Sequence, residues 1–153
     1  MQLPPEALKK LFFVRLKRGC VVKAPVHFHG TGDTKEKFLV LLNRDHGAMD
    51  PLFFFVTSSK LAFFERNLTM KADAVFIEPG TLQFFPLRTV INCREVHAFP
   101  KVDVEELAGQ RRIEVVGDLP QAMVAQIDRI ITASKLISVA DKKRILPSGP
   151  ASP

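Results

Sequence analysis

The 153-residue chain contains no tryptophan and no tyrosine, and its 13 phenylalanines are the whole aromatic set. Any stacking on nucleobases must therefore do without Tyr and Trp. Cysteine is almost as scarce. Cys20 and Cys93 stand far apart with no CxxC, which gives neither a zinc site nor a disulfide framework. Two reduced, buried thiols in a cytoplasmic protein are the expectation. No apolar run approaches the roughly 18 residues of a membrane span. Glu6, Lys9 and Lys10 interrupt the stretch in which a signal peptide needs a continuous apolar region. A cytoplasmic protein with no membrane association is expected. Neither GxGxxG nor GxxxxGK[ST] occurs, so the usual phosphate-cradling loops are missing.

The composition is that of a globular protein. Hydrophobic residues make up 46% and charged residues 25%, which excludes a disordered chain, a collagen and a coiled-coil rod. The length suits one domain. Lys and Arg number 22 against 16 acidic residues, and the resulting net charge of +6 favours polyanions as partners.

Hydrophobic periodicity predicts a short helix over 4–13, with Pro4 and Pro5 in its first turn. Apolar runs then predict strands over Cys20–Val26, Phe38–Leu42, Phe53–Thr57, Ala74–Ile77, Thr81–Phe85, Arg88–Cys93, Val96–Phe99 and Arg112–Val116. Residues 61–72 fit either a helix or a hairpin arm. Leu119, Met123, Ile127, Ile130, Ser134 and Ile137 step by three and four, the stripe of an amphipathic helix, with Asp118 as its expected N-cap. Ser138-x-x-Asp141 resembles a capping box for a second helix reaching Leu146. The helices cluster at the ends of the chain and do not alternate with strands, which disfavours a Rossmann-type site. The expected fold is mainly β with C-terminal helices (α+β), a small β-barrel. Residues 1–16 form an N-terminal helical extension, 17–146 the barrel and its helices, and 147–153 a Pro/Ser/Gly tail expected to be disordered.

Candidate chemistry is sparse. His27-x-His29 has a spacing that can chelate a metal, but two histidines are a weak signal and no metal site is expected. Ser58 and Ser59 lack the GxSxG surroundings of a hydrolase nucleophile. Phe53-Phe54-Phe55 is expected in the core. On a strand, one ring of Phe63-Phe64 and one of Phe84-Phe85 must face outward, which would suit a dimer patch. Lys35, Lys37 and Lys60 flank a loop and a strand end, and together they would attract a phosphate backbone.

The order of short motifs carries more information. Lys17-Arg18-Gly19-Cys20-Val21-Val22 opens the first strand. Lys35-Glu36-Lys37-Phe38-Leu39-Val40-Leu41-Leu42-Asn43 follows a polar loop. The third strand ends Phe55-Val56-Thr57-Ser58-Ser59-Lys60. Pro86-Leu87-Arg88-Thr89-Val90-Ile91-Asn92 comes next, and Val116-Gly117-Asp118-Leu119 leads into the helix. In this order the chain resembles the MazF/PemK family of toxin-antitoxin ribonucleases, over roughly residues 17–146.

The resemblance implies an SH3-like barrel that forms a homodimer. It implies cleavage of single-stranded RNA without metal or cofactor, by attack of the 2′-OH on the adjacent phosphate to leave a 2′,3′-cyclic phosphate. It also implies an acidic antitoxin as partner. The family's catalytic threonine matches Thr57. Its arginine, normally followed by proline, aligns with Lys37, followed here by Phe38. Thr57 and Lys37 are thus the expected catalytic residues, with Lys35, Ser58, Lys60 and His29 binding substrate. Arginine holds two phosphate oxygens in one planar fork, whereas lysine is a point charge. The departure leaves three readings open: an enzyme weakened by Lys37, a site in which Lys35 or His29 substitutes for the arginine, and a non-catalytic SH3-like module that binds RNA or an antitoxin-type partner. A separate reading is a dimer assembled through a phenylalanine-rich face.

Overall fold

In the computed structural model, the described residues are 3–27, 32–44 and 50–146. The three longest apolar runs become adjacent strands: β1 (Cys20–His27), β2 (Thr34–Leu41) and β3 (Leu52–Ser58). All pairings are antiparallel. One edge of β3 pairs with β2. Its other edge pairs with β6 (His97–Phe99) at the start and with β5 (Thr89–Asn92) at the end. β4 (Ala74–Ile77) extends the sheet beyond β5, and β7 (Glu114–Asp118) extends it beyond β1. The order β4-β5-β3-β2-β1-β7 curls into a half-barrel.

Both faces of this sheet are covered, which is why its central strands read as unbroken apolar runs. Val40, Leu42, Phe53 and Phe55 point into one core with Ile127 and Ile131 of α5 (Gln121–Ala133). The alternate residues Leu39, Leu41, Phe54 and Val56 point into a second core. There they meet Phe12 of α1 (Pro5–Arg15) and Val104 and Ala108 of α4 (Lys101–Gly109). Each large side chain buried in this way contributes about 1.5–3 kcal/mol. Residues 3–16 therefore pack on the body of the fold through Phe12 and Leu16, both in the second core.

Two features tie the ends of the sheet. Gly19 has φ +85°, and a Cβ there would lie 2.8 Å from Cγ2 of Val124, so only glycine suits both the backbone and the helix above it. Next to it, Arg18 donates from Nε to the carbonyls of Leu42 and Ile145, both at 3.1 Å, and pairs through Nη2 with Asp128 Oδ1 at 2.6 Å. One guanidinium thus joins the residue after β2, α5 and the end of α6 (Val139–Ile145).

The fold is mixed α+β, and its helices are not confined to the chain ends. Residues 61–72 form two short helices, α2 (Leu61–Glu65) and α3 (Leu68–Ala72), with the Asn67 side chain accepting from Thr69 N and Met70 N. α4 also lies between strands. Thr81–Phe85 is a turn and not a strand: Phe84 and Phe85 are consecutive yet both pack on the first core, an arrangement strand alternation forbids. β7 begins at Glu114, two residues later than the pattern predicts, because the exit from α4 occupies Gln110 to Arg112. Asp118 ends β7, and the N-cap of α5 is Pro120. The Ser138 cap is present, its Oγ accepting from Asp141 N at 3.1 Å.

Cys20 and Cys93 are buried and unbonded to each other. Burial pushes the Cys20 thiol up to about 11 and the Cys93 thiol beyond the ordinary range. No helix among the described residues is long and apolar enough to cross a membrane. The tail 147–153 lies outside the described residues, as does His29.

Candidate functional site

The β2–β3 ladder pairs Leu39 with Val56, Val40 with Phe55 and Leu41 with Phe54. Continued outward, this register sets Phe38 against Thr57 and Lys37 against Ser58. Thr57 is 4% exposed, and its hydroxyl donates to the Phe38 carbonyl at 2.9 Å. Strand alternation puts Glu36, Phe38 and Thr57 on the face of the first core, and Lys35, Lys37 and Ser58 on the other. At the end of the ladder a cavity of about 280 Å³ takes in both sets: Glu36, Lys37, Thr57, Ser58 and Ser59 all line it. Its far wall is Phe84, Phe85, Pro86 and Leu87, with Thr89 beside them.

That wall is held from behind. The Phe84 ring lies against the backbone of Gly117 in β7, where an added Cβ would fall 2.3 Å from Cε1. Phe84 also meets Phe85 edge-on at 4.9 Å, and Phe85 meets Phe38 at 5.3 Å. On the solvent side, Arg88 pairs with Glu65 of α2 and with Glu78 after β4, and lies 5.3 Å over the Phe76 ring. The segment 84–88 is therefore anchored at both ends.

Three lysines gather at the strand end. The Lys37 amine is held below its ordinary 10.5, first by burial and then by the charges of Lys35 and Lys60. Lys60 leads into α2, and its backbone N–H donates to Ser58 Oγ at 3.0 Å. The single carboxylate lining this cavity, Glu36, pairs with Lys23 at 3.1 Å.

Lys37, Thr57 and Ser58 thus line one cavity, Thr57 from one face of the sheet and Lys37 and Ser58 from the other, with Lys35 and Lys60 close enough to act on Lys37. His29 lies outside the described residues. His27 contacts Thr34 Oγ1 through Nδ1 at 3.2 Å. Among the described residues no three His, Cys, Asp or Glu side chains cluster to hold a metal. Sequence reasoning missed Glu36 and the Phe84 wall. For Glu36 half the signal was available: alternation places it on the Phe38 face, and the β2–β3 register then sets Thr57 on that face. For Phe84 it was not, because the contact with Gly117 is long-range. No family model matches the chain, and no curated protein matches it either.

Proposed function

We propose that the protein is a metal-independent endoribonuclease for single-stranded RNA, of the MazF/PemK type that its motifs resemble. On this reading the half-barrel is that family's SH3-like barrel. A homodimer, an acidic antitoxin-type partner and a cytoplasmic location follow with it. What supports the reading is one cavity lined by Thr57, Lys37 and Ser58, with the charges of Lys35 and Lys60 felt at Lys37.

The chemistry assigns a role to each group. Lys35, Lys37 and Lys60 each meet an RNA phosphate, and the Lys37 ammonium offsets the charge that develops on the oxygens of the scissile one. The 2′-OH attacks phosphorus and gives up its proton to water. The bond from phosphorus to the 5′-oxygen breaks, and Lys37, its pKa shifted toward neutrality, gives a proton to that oxygen. The products are a 2′,3′-cyclic phosphate and a 5′-hydroxyl. Thr57, whose hydroxyl is given to Phe38, holds the β2–β3 end in register and acts as a positioning residue.

Lys37→Met should lower cleavage of a mixed RNA pool by about 10²–10⁴-fold, the usual worth of a positioned acid. Lys37→Arg supplies the planar fork that the resembled family carries at this position, so cleavage should be kept or should rise. Thr57→Ala should lose cleavage with the fold retained. If Lys37→Met cut RNA as well as the parent, the assignment would fail. A second reading, a barrel that binds RNA without cutting it, is favoured by the Thr57 hydroxyl already being donated within the protein. It predicts RNA binding by the unaltered protein and no cleaved ends.

A further inference from the structure

A second cavity, of about 320 Å³, lies between α1, the end of α4 and the start of β7. This is within the size range of binding pockets, which begins at about 300 Å³. Its floor is made by Phe12, Ala108 and Ile113, all core residues. At its rim Leu3 and Leu11 are 45% and 51% exposed, and one turn beyond Leu11, Val14 is 82% exposed. An apolar strip therefore runs along α1 past the end of the cavity. Arg15 and Arg111 also line the cavity, and neither guanidinium has an ion-pair partner among the described residues. The single carboxylate in the lining is Glu114.

We propose that this groove docks an acidic, amphipathic segment of a partner protein. Two apolar side chains of that segment enter between α1 and α4, and a flanking carboxylate pairs with Arg15 and Arg111. Two unpaired guanidiniums beside apolar walls select an anion, and the fork geometry of arginine suits a carboxylate. The strip from Leu11 to Val14 reaches beyond the cavity, which fits a peptide lying along α1 better than a compact small molecule. A membrane surface fits less well. The apolar groups line a concavity, and Glu114 would face anionic headgroups. This inference does not rest on the ribonuclease reading, since the two cavities share no residue.

Arg111 makes the test clean. It closes α4 with φ +58°, while Arg112 N–H donates to the Leu107 carbonyl at 2.8 Å. Glycine is the usual residue at such a helix end. Arg111→Gly therefore removes the guanidinium without weakening the fold. The probe is a fluorescein-labelled helical peptide with two leucines four residues apart and glutamates on either side, read by anisotropy. A control peptide carries lysines in place of the glutamates.

The glutamate peptide should bind saturably. The lysine peptide should bind at least about tenfold more weakly, and so should the glutamate peptide to Arg111→Gly and to Leu11→Glu. Cleavage of RNA, where present, should be unchanged in Arg111→Gly. Equal binding by Arg111→Gly and the parent would overturn the proposal. So would the absence of saturable binding, or binding of decanoate or of phosphatidylglycerol vesicles in place of the peptide.

Discussion

Gly117→Ala tests how the cavity wall is held. A Cβ at this position would sit 2.3 Å from Phe84 Cε1 and 2.8 Å from Cδ1, where ordinary contact begins near 3.4 Å. The ring must retreat by about 1 Å. It cannot swing freely, because Phe85 meets it at 4.9 Å and itself packs edge-on to Phe38. Overpacking of this kind costs about 1–3 kcal/mol. Replacing glycine within a strand returns roughly 0.5–1 kcal/mol of that. A net loss of about 1–2 kcal/mol is expected, and at about 2–4 °C per kcal/mol for a domain of this size, the Tm should fall by roughly 2–8 °C. The assay is urea and thermal unfolding of a double-mutant cycle with Phe84→Leu. The smaller side chain relieves the clash, so the two substitutions should couple by about 1 kcal/mol. If Gly117→Ala is as stable as the parent, or if the two effects simply add, Phe84 does not rest on Gly117 and the account of the wall is wrong.

Gly19→Ala meets both a left-handed backbone and Cγ2 of Val124 at 2.8 Å, and should cost more than about 1 kcal/mol in urea unfolding. Because the folded Lys37 pKa lies below 10.5, the folded state releases this proton first, and stability should rise with pH between the two values. Lys37→Met should abolish that rise in unfolding titrations taken across the window. If Lys37 is the proton donor proposed above, it must be charged, and cleavage should decline at a pH below the usual lysine range. With Lys35, Lys37 and Lys60 each meeting a phosphate, log K for single-stranded RNA should fall against log salt with a slope of about −2. Removing any one of the three should reduce the slope by about 0.7.

Much of the architecture was legible because local pattern and burial agreed. β1, β2 and β3 are apolar runs covered on both faces, and the Ile127–Ile131 step of α5 is a plain core stripe. α4 was invisible for a physical reason: only Val104 and Ala108 are buried along its nine residues, and Val102 is 67% exposed, so no stripe longer than one turn exists. The turn at Thr81–Phe85 imitated a strand because its two phenylalanines are apolar, while the contact that orients Phe84 comes from Gly117, far along the chain. At the site, the grouping of Thr57, Lys37 and Ser58 came from motif order. Glu36 was not legible because it shares a face with Thr57 only through the β2–β3 register, a long-range pairing.

The central claim is that the Lys37–Thr57 cavity cleaves RNA without metal. The direct measurement is incubation of the pure protein with mixed RNA in the presence of EDTA, followed by chemical mapping of the new ends. The new ends should be 2′,3′-cyclic phosphate and 5′-hydroxyl termini that disappear with Lys37→Met. Intact RNA under every condition, or the same termini from Lys37→Met, would contradict it.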